Sequence, residues 1–418
     1  MCIFQDNLDD WFKEAGDMCD VYSHALCNIA ATSASNGSVG LFFQRNPMGV
    51  LPFWVHTTWD VDLATDGSSN SATKGDYLIF PPSHWEQDLE LGVLNQRAWV
   101  LQERLLSTRV MHFTASQVFW ECYEHRSSEV FPSQLPRWMH PTWGYDSQRL
   151  KGILSDNVAA WTHYDYYTSW VQLRMAYSQC GLSNDSDKLA AISGITKMLS
   201  TLAGGNFIAG LWDSYIIEEL CWSFLRVHRM YQQKPSPYPT TWRAPTWSWA
   251  SRNAYVHPSH SRDHRHCAEH RTMATMKSID VGTSASGQLK HASIILRGKL
   301  LFSSFSSENN EDFSMTVQGT TVAMEDTDGY LNFSIYLDDP ELHRPYEQDL
   351  VCLSMWSCEC NSGHPDLPKE CRMQALLLSP RNSGHHHYQR VGILGLEYDG
   401  YDLFMEYATN DEQDVVIF

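Results

Sequence analysis

Few residue patterns in this chain could do chemistry unaided. Cys358, Cys360, His364 and Cys371 lie close enough in sequence to supply four zinc ligands, thiolate and imidazole being the donors zinc prefers. Their spacing, C-x-C-x3-H-x6-C, is not a standard frame and the stretch reads as an irregular loop, so no metal is assigned. His385, His386 and His387 fall in a Ser/Gly turn, and His260, His264, His266 and His270 in a stretch rich in His, Arg and Ser; both groups read as surface residues. Trp242, Trp247 and Trp249 could stack a ligand, although buried packing at a domain junction is their more usual employment. In the string NQRAWVLQERLLS, Trp99, Gln102, Leu105 and Leu106 can share one helical face while Arg97, Glu103 and Arg104 carry the charge. No phosphate-binding Gly-x-x-x-x-Gly-Lys-Ser/Thr loop, Gly-x-Gly-x-x-Gly, Gly-x-Ser-x-Gly or His-Glu-x-x-His is present, so none of the common nucleotide, hydrolase or zinc-protease signatures marks a site.

The elements that must hold these residues follow from periodicity. Leu8, Trp11, Phe12, Ala15, Met18, Val21, Tyr22 and Ala25 recur at helical spacing behind acidic residues suited to a helix start. The apolar runs Cys2 to Gln5 and Cys27 to Thr32 flank that helix, so residues 2 to 32 read as a right-handed βαβ unit in a parallel sheet. Parallel strands need neighbours on both sides, and further strands are expected upstream of this unit. Arg109 to Thr114 and Val118 to Cys122 read as a hairpin turning at Ala115, Ser116 and Gln117. From about 153 to 225 the pattern is helical: one helix is marked by Trp161, Tyr164, Thr168 and Val171, and a second by Leu189, Ile192, Ile195, Leu199 and Leu202. Asn184, Asp185, Ser186 or Asp187 could cap the second, and a third is expected over Asp213 to Leu225. Beyond the Pro-rich stretch Lys234 to Pro245, short β-type runs recur at Ile294 to Arg297, Tyr330 to Tyr336, Gln374 to Leu378, Arg390 to Leu396 and Val415 to Phe418.

Composition bounds what such a chain can do. With 418 residues, two or three domains are expected, and 43% hydrophobic residues with 16 Trp leave ample surface to bury. The formal charge of −19 argues against a nucleic-acid binder, which gains affinity by neutralising phosphates, and against acidic membranes. No apolar run reaches the roughly 18 to 20 residues of a membrane-spanning helix. The start lacks the basic and long apolar regions of a secretory signal. Eleven cysteines, an odd number without a repeating frame, suit reduced thiols and a cytoplasmic or nuclear location. The glycosylation sequons at Asn36, Asn184 and Asn332 are then read as chance.

Two strings carry a family resemblance. CIFQDNLDDWFKEAGDMCDVYSHALCNIAATSASNGSVGLF resembles the second half of the fungal heterokaryon-incompatibility (HET) domain core, and QRAWVLQERLLSTRVMHFTASQVFWECYEHRSSEVFP is similar to that family's Arg-x-Trp-x-x-Gln-Glu helix and following hairpin. Shorter matches continue through Ser186 to Leu189, Ala191 to Gly194, Ala209 to Trp212 and Arg243 to Ser251. The family's amino-terminal segment with Leu-Ser-Tyr-x-Trp-Gly has no counterpart here. Either the sequence begins at an internal Met or it is a truncated, inert relative; in both cases the sheet as written lacks strands, and the chain is expected to fold poorly alone.

The resemblance implies an α/β fold, the remnant of a parallel Toll/interleukin-1 receptor-like sheet, followed by a helical layer and a β-rich end. Boundaries are expected at 1–135 for the HET part, 136–245 for the helical region and 246–418 for the β-rich domain. It implies a soluble cytoplasmic protein of fungal nonself recognition or programmed cell death that works through protein partners or self-association, with no cofactor. By fold-level analogy alone it also admits hydrolysis of NAD as a substrate. In that case Glu103 would be the catalytic carboxylate, with Gln5, Asp6, Arg97, Trp99 and Gln102 binding. Otherwise Arg97 and Glu103 form a helix-anchoring ion pair and Trp99 and Gln102 pack. A tailoring enzyme of secondary metabolism is a third reading.

Overall fold

The computed structural model describes residues 8–58, 61–62, 71–72, 74–80, 85–136, 139, 151–152, 161–224, 239, 241–258, 270–284, 288–307, 313–324, 333–338, 349–360, 370–381 and 386–418. The run Cys2 to Gln5, and with it Gln5 and Asp6, lies outside these residues, as do His260, His264, His266, His364 and His385. The chain divides into two compact units, one of Asp17–Trp161 and one of Met1–Gly16 with Thr162–Phe418. Its secondary structure is mixed α and β, and it is β-rich toward its end.

Helix α1 (Leu8–Ser23) forms where the periodicity places it. Its Ala15, Met18 and Cys19 are buried at the spacing of one helical stripe, whereas Val21 is 43% exposed and falls off that stripe. In the unit Asp17–Trp161 the chain continues through β1 (Asn28–Ala30), an antiparallel ribbon of β2 (Phe53–Thr57) with β3 (Gly75–Ile79), and α2 (Ala98–Leu106). Then come β4 (Arg109–Phe113), β5 (Val118–Cys122) and β6 (Arg126–Ser128). The strand order is β1-β4-β5-β6, with β1 parallel to β4 and the other pairs antiparallel. Asn28 and Ile29 pair with Val110 and Met111, which places β1 at one end of the sheet among the described residues. The hairpin β4-β5 closes with Thr114 N–H donating to the Gln117 carbonyl at 3.2 Å, at the turn its sequence predicts. Alternation puts Val110 and His112 of β4, and Phe119 and Glu121 of β5, on the buried face. Trp85, Leu89, Phe119 and Leu135 form a small apolar core there.

The second unit opens with α3 (His163–Gln179), started by a capping box in which Thr162 and Asp165 satisfy each other's backbone N–H. Asn184 caps not a long helix but a single 3-10 turn, Asp185–Lys188; a second turn, Ala190–Ile192, follows before α4 (Ser193–Ala203). The third expected helix shrinks to α5 (Ile216–Glu219), and Trp222–Phe224 is a strand instead. The cause is visible: the guanidinium of Arg390, fully buried, takes the carbonyls of Leu220 and Trp222 that a continuing helix would use.

Among the described residues the last third forms one eleven-stranded sheet. It comprises Arg271–Thr272, β7 (Thr275–Thr283), β8 (Leu289–Gly298), β9 (Leu300–Ser307), β10 (Phe313–Val317) and β11 (Thr320–Ala323). It continues with β12 (Phe333–Leu337), β13 (Asp349–Cys360), β14 (Glu370–Pro380), β15 (His387–Glu397) and β16 (Gln413–Ile417). The path runs β7-β8-β16-β15-β14-β13-β9-β10-β11, with β12 on β15 and Arg271–Thr272 on β13; α6 (Tyr398–Tyr407) connects β15 to β16. Met373 to Leu378 of β14 are buried without alternation, as expected of a strand covered on both faces. Leu301, Phe305, Met315, Phe333, Leu377, Leu394 and Phe404 belong to its main apolar core.

The zinc-like cysteines sit in this sheet, not in an irregular loop. Cys358 and Cys360 belong to β13, paired with Arg372 and Glu370 of β14, and Cys371 pairs with Glu359. Among the described residues no group of three or more His, Cys, Asp or Glu could hold a metal ion.

Candidate functional site

The side chains singled out on α2 meet α1 within the unit Asp17–Trp161. Arg97 stands just before the helix in an extended conformation and is exposed, so it contributes its charge from the rim. Gln102 is fully buried and donates its side-chain amide to the Met18 sulfur at 3.7 Å. One turn along α1, the Tyr22 phenol donates to the Glu103 carboxylate. Met18 and Tyr22, four residues apart, thus form the α1 face that meets Gln102 and Glu103. Burial raises the Glu103 carboxyl above its ordinary range, opposed by the Tyr22 hydrogen bond and the Arg97 charge. The Tyr22 phenol is raised as well, by burial first and then by the neighbouring carboxylate. Trp99 is half-buried on the same helix. The structure therefore brings Glu103, Arg97 and Tyr22 into one electrostatic group and turns Gln102 to a different partner.

Arg104 is not the surface charge its place beside Glu103 suggests; it is only 4% exposed. Its guanidinium donates to Glu121 at 2.7 and 3.1 Å and to Glu90 at 2.8 and 2.9 Å, clamping two carboxylates at once. Glu90 also accepts from the Trp85 indole at 2.9 Å. His112, fully buried, lies 3.4 Å from Glu121 through Nε2 and 3.1 Å from the Thr32 hydroxyl through Nδ1. Lys151, equally buried, donates to the carbonyls of Arg104 at 2.7 Å and Ser107 at 2.5 Å, placing a cation on the carboxyl end of α2, where the helix dipole favours one.

The electrostatics of this cluster is self-contained. Burial alone would raise Glu121, but the Arg104 charge, the His112 hydrogen bond, the Lys151 charge and the Arg104 hydrogen bonds together outweigh it and hold the carboxyl well below its ordinary range. Burial lowers His112, with Arg104 and Lys151 adding to the effect and Glu121 opposing it. Lys151 is brought down to about 8, by burial first. A carboxylate locked between a guanidinium and an imidazole, both out of reach of solvent, is suited to tying α2, β4, β5 and the turn before α2 together. It has no room to act on a substrate. A small cleft nearby is lined by Val50, Phe80, Trp85, Phe119, Phe131 and Met139 among others, and among the described residues no charged group lines it.

Arg104, Glu90, Glu121, His112 and Lys151 were not legible as a cluster in the sequence. One signal was available: His112 and Glu121 occupy inward positions of alternating strands, and an ionisable residue there needs a partner. Of the tryptophans, Trp247 and Trp249 are fully buried, Trp249 donating to the Gly210 carbonyl at 2.7 Å, while Trp242 is 49% exposed and does not belong to that group. Lys188, brought down to about 7 chiefly by burial, lies 5.7 Å over the Trp249 ring and donates to the Arg252 carbonyl, a structural role. No described helix is long and apolar enough to cross a membrane.

No curated protein matches this chain, and no solved structure does. Residues 1–103, the stretch that runs from before α1 to Glu103 and contains β1, the ribbon and most of α2, match the family model for heterokaryon incompatibility protein (HET).

Proposed function

We propose that the chain is a signalling or effector protein of fungal nonself recognition and programmed cell death, acting in the cytoplasm through association with protein partners or with itself. One observation carries this reading. Of the nineteen large apolar side chains left exposed among the described residues, thirteen lie between Val21 and Val93, inside the stretch that matches the HET family. Phe42, Leu26, Met48 and Trp54 are 71 to 80% exposed. Large apolar side chains left exposed in such number along one stretch of chain are the material from which interaction surfaces are made.

In this reading the buried ion cluster is the scaffold that holds such a surface in shape, and Arg97, Trp99, Gln102 and Glu103 anchor α2 to α1. The parallel pairing of β1 with β4 is in keeping with a remnant of a Toll/interleukin-1 receptor-like sheet. The test is inducible expression of the chain in a filamentous fungus, with viability scored against protein level. Loss of viability that follows expression supports the reading. Normal growth at high expression of folded protein defeats it.

A further inference from the structure

The ribbon β2-β3 carries four of the exposed apolar side chains of the matched stretch, Phe53, Trp54, Leu78 and Ile79, and its register separates two faces. Trp54 lies opposite Leu78 and His56 opposite Asp76, so these four share one face; Phe53 with Ile79 and Val55 with Tyr77 share the other. On the first face all four side chains are exposed, Trp54 by 71% and Leu78 by 37%; on the second Val55 and Tyr77 are half-buried, while the end pair is exposed, Phe53 by 51% and Ile79 by 41%. The first face presents an indole and a leucine beside a carboxylate, with His56 donating from Nδ1 to Asp76 at 2.6 Å. Among the described residues neither strand of the ribbon pairs with a further strand. Two strands alone are marginal in water, and a third strand would complete them.

Charge decides between occupants. From residue 51 to residue 90 there are seven Asp or Glu and one Lys, and the whole chain carries −19. A second copy would bring the same negative charge to the same place. An indole face flanked by a carboxylate is suited to a guanidinium or ammonium, through cation–π attraction and an ion pair.

We infer that the ribbon Phe53–Thr57 with Gly75–Ile79 docks an extended segment of a partner protein, alternating apolar and basic residues, which adds as a strand and sets an Arg or Lys on Trp54 beside Asp76. This names the kind of partner for the associating surface proposed above, and rests on that reading.

The probe is a synthetic peptide of alternating arginine and valine, with a glutamate–valine peptide as its counterpart, titrated into the full chain by fluorescence anisotropy. The arginine peptide binds saturably at one per chain, and the glutamate peptide does not bind. Trp54→Ser with Leu78→Ser weakens binding about tenfold or more, the equivalent of roughly 1.4 kcal/mol. Asp76→Asn weakens it less and reduces its salt dependence. All these positions are exposed, and far-UV circular dichroism checks that each variant keeps its fold. Binding untouched by the double variant, or equal binding of both peptides, overturns the inference. So does concentration-dependent dimerisation in sedimentation that the double variant abolishes, since a second copy would then be the occupant. If the peptide fails while expression of the chain still kills the host cell, the signalling role survives and only this docking mode falls.

Discussion

Arg104 joins two carboxylates, Glu90 and the fully buried Glu121, so its removal costs more than the hydrogen bonds it makes. Arg104→Ala leaves Glu121 buried without its main counter-charge, and the expected loss is about 3–5 kcal/mol, read from urea unfolding followed by hydrogen exchange at α2 and β5. His112 and Glu121 give the same unit a directional pH dependence. A base whose folded pKa is lowered takes its proton in the unfolded chain first, so His112 withdraws stability as pH falls below its ordinary value of 6.5. Glu121 is an acid held below its ordinary 4.5, and the stability it confers is present above that value and lost as pH falls through its lower folded pKa. Two successive acid steps are expected, and His112→Gln removes the upper one: its Tm changes less between about pH 7.5 and pH 5.5 than the parent's. Glu103 has the opposite sign. Its folded pKa is raised, so the favourable state is the protonated one and stability is lost as pH rises through that pKa. Glu103→Gln is therefore expected to raise the Tm at neutral pH, and to leave NAD levels in the expressing cell unchanged. NAD loss that the substitution abolishes would restore the catalytic alternative for this residue.

At the scale of elements, close backbone approach is the constraint that sequence shows least. Gly392 of β15 sits opposite Leu337 of β12, and a Cβ there would lie 2.5 Å from the Tyr336 carbonyl oxygen and 3.1 Å from the Leu337 Cα. Backbone cannot swing aside as a side-chain tip can, so Gly392→Ala should push β12 off the sheet at a cost of about 1–3 kcal/mol, with faster amide exchange from Phe333 to Leu337 as the readout. The same contrast explains which elements could be read in advance. Helix α1 announced itself because it has one buried face, and burial on one face leaves a period, while β1 and the hairpin β4-β5 were legible as short apolar runs bounded by loop or turn residues. Strand β13 did not. Val351 to Cys358 are buried on both faces, so Ser354, Ser357 and the cysteines broke the apolar run without any alternation to replace it, and the stretch read as a loop. The expected helix after Asp213 failed for a longer-range reason, because Arg390, far along the chain, captures its carbonyls. The candidate site was legible in the same measure: Trp99, Gln102 and Glu103 lie on one helix with Arg97 just before it and were named, whereas Glu90, His112, Glu121 and Lys151 come from four separate segments and meet Arg104 only in the fold.

The whole molecule has two cores of different make. Asp17–Trp161 relies on a small apolar cluster around Trp85 and Phe119 with the ion cluster beside it, while the unit containing Thr162–Phe418 has the broad apolar core of its sheet. A unit with its own core unfolds as its own cooperative step, so calorimetry of the full chain should resolve two transitions. Substitutions then assign them. Leu377→Ala empties a site with no solvent exposure and should cost about 2–5 kcal/mol in the sheet transition alone. Arg104→Ala should lower only the other, and acidification below 6.5 should move that second transition first, because His112 belongs to it. One transition lowered equally by both variants would show that the chain unfolds as a single cooperative body, and the stability of the ion cluster could then no longer be treated apart from that of the sheet.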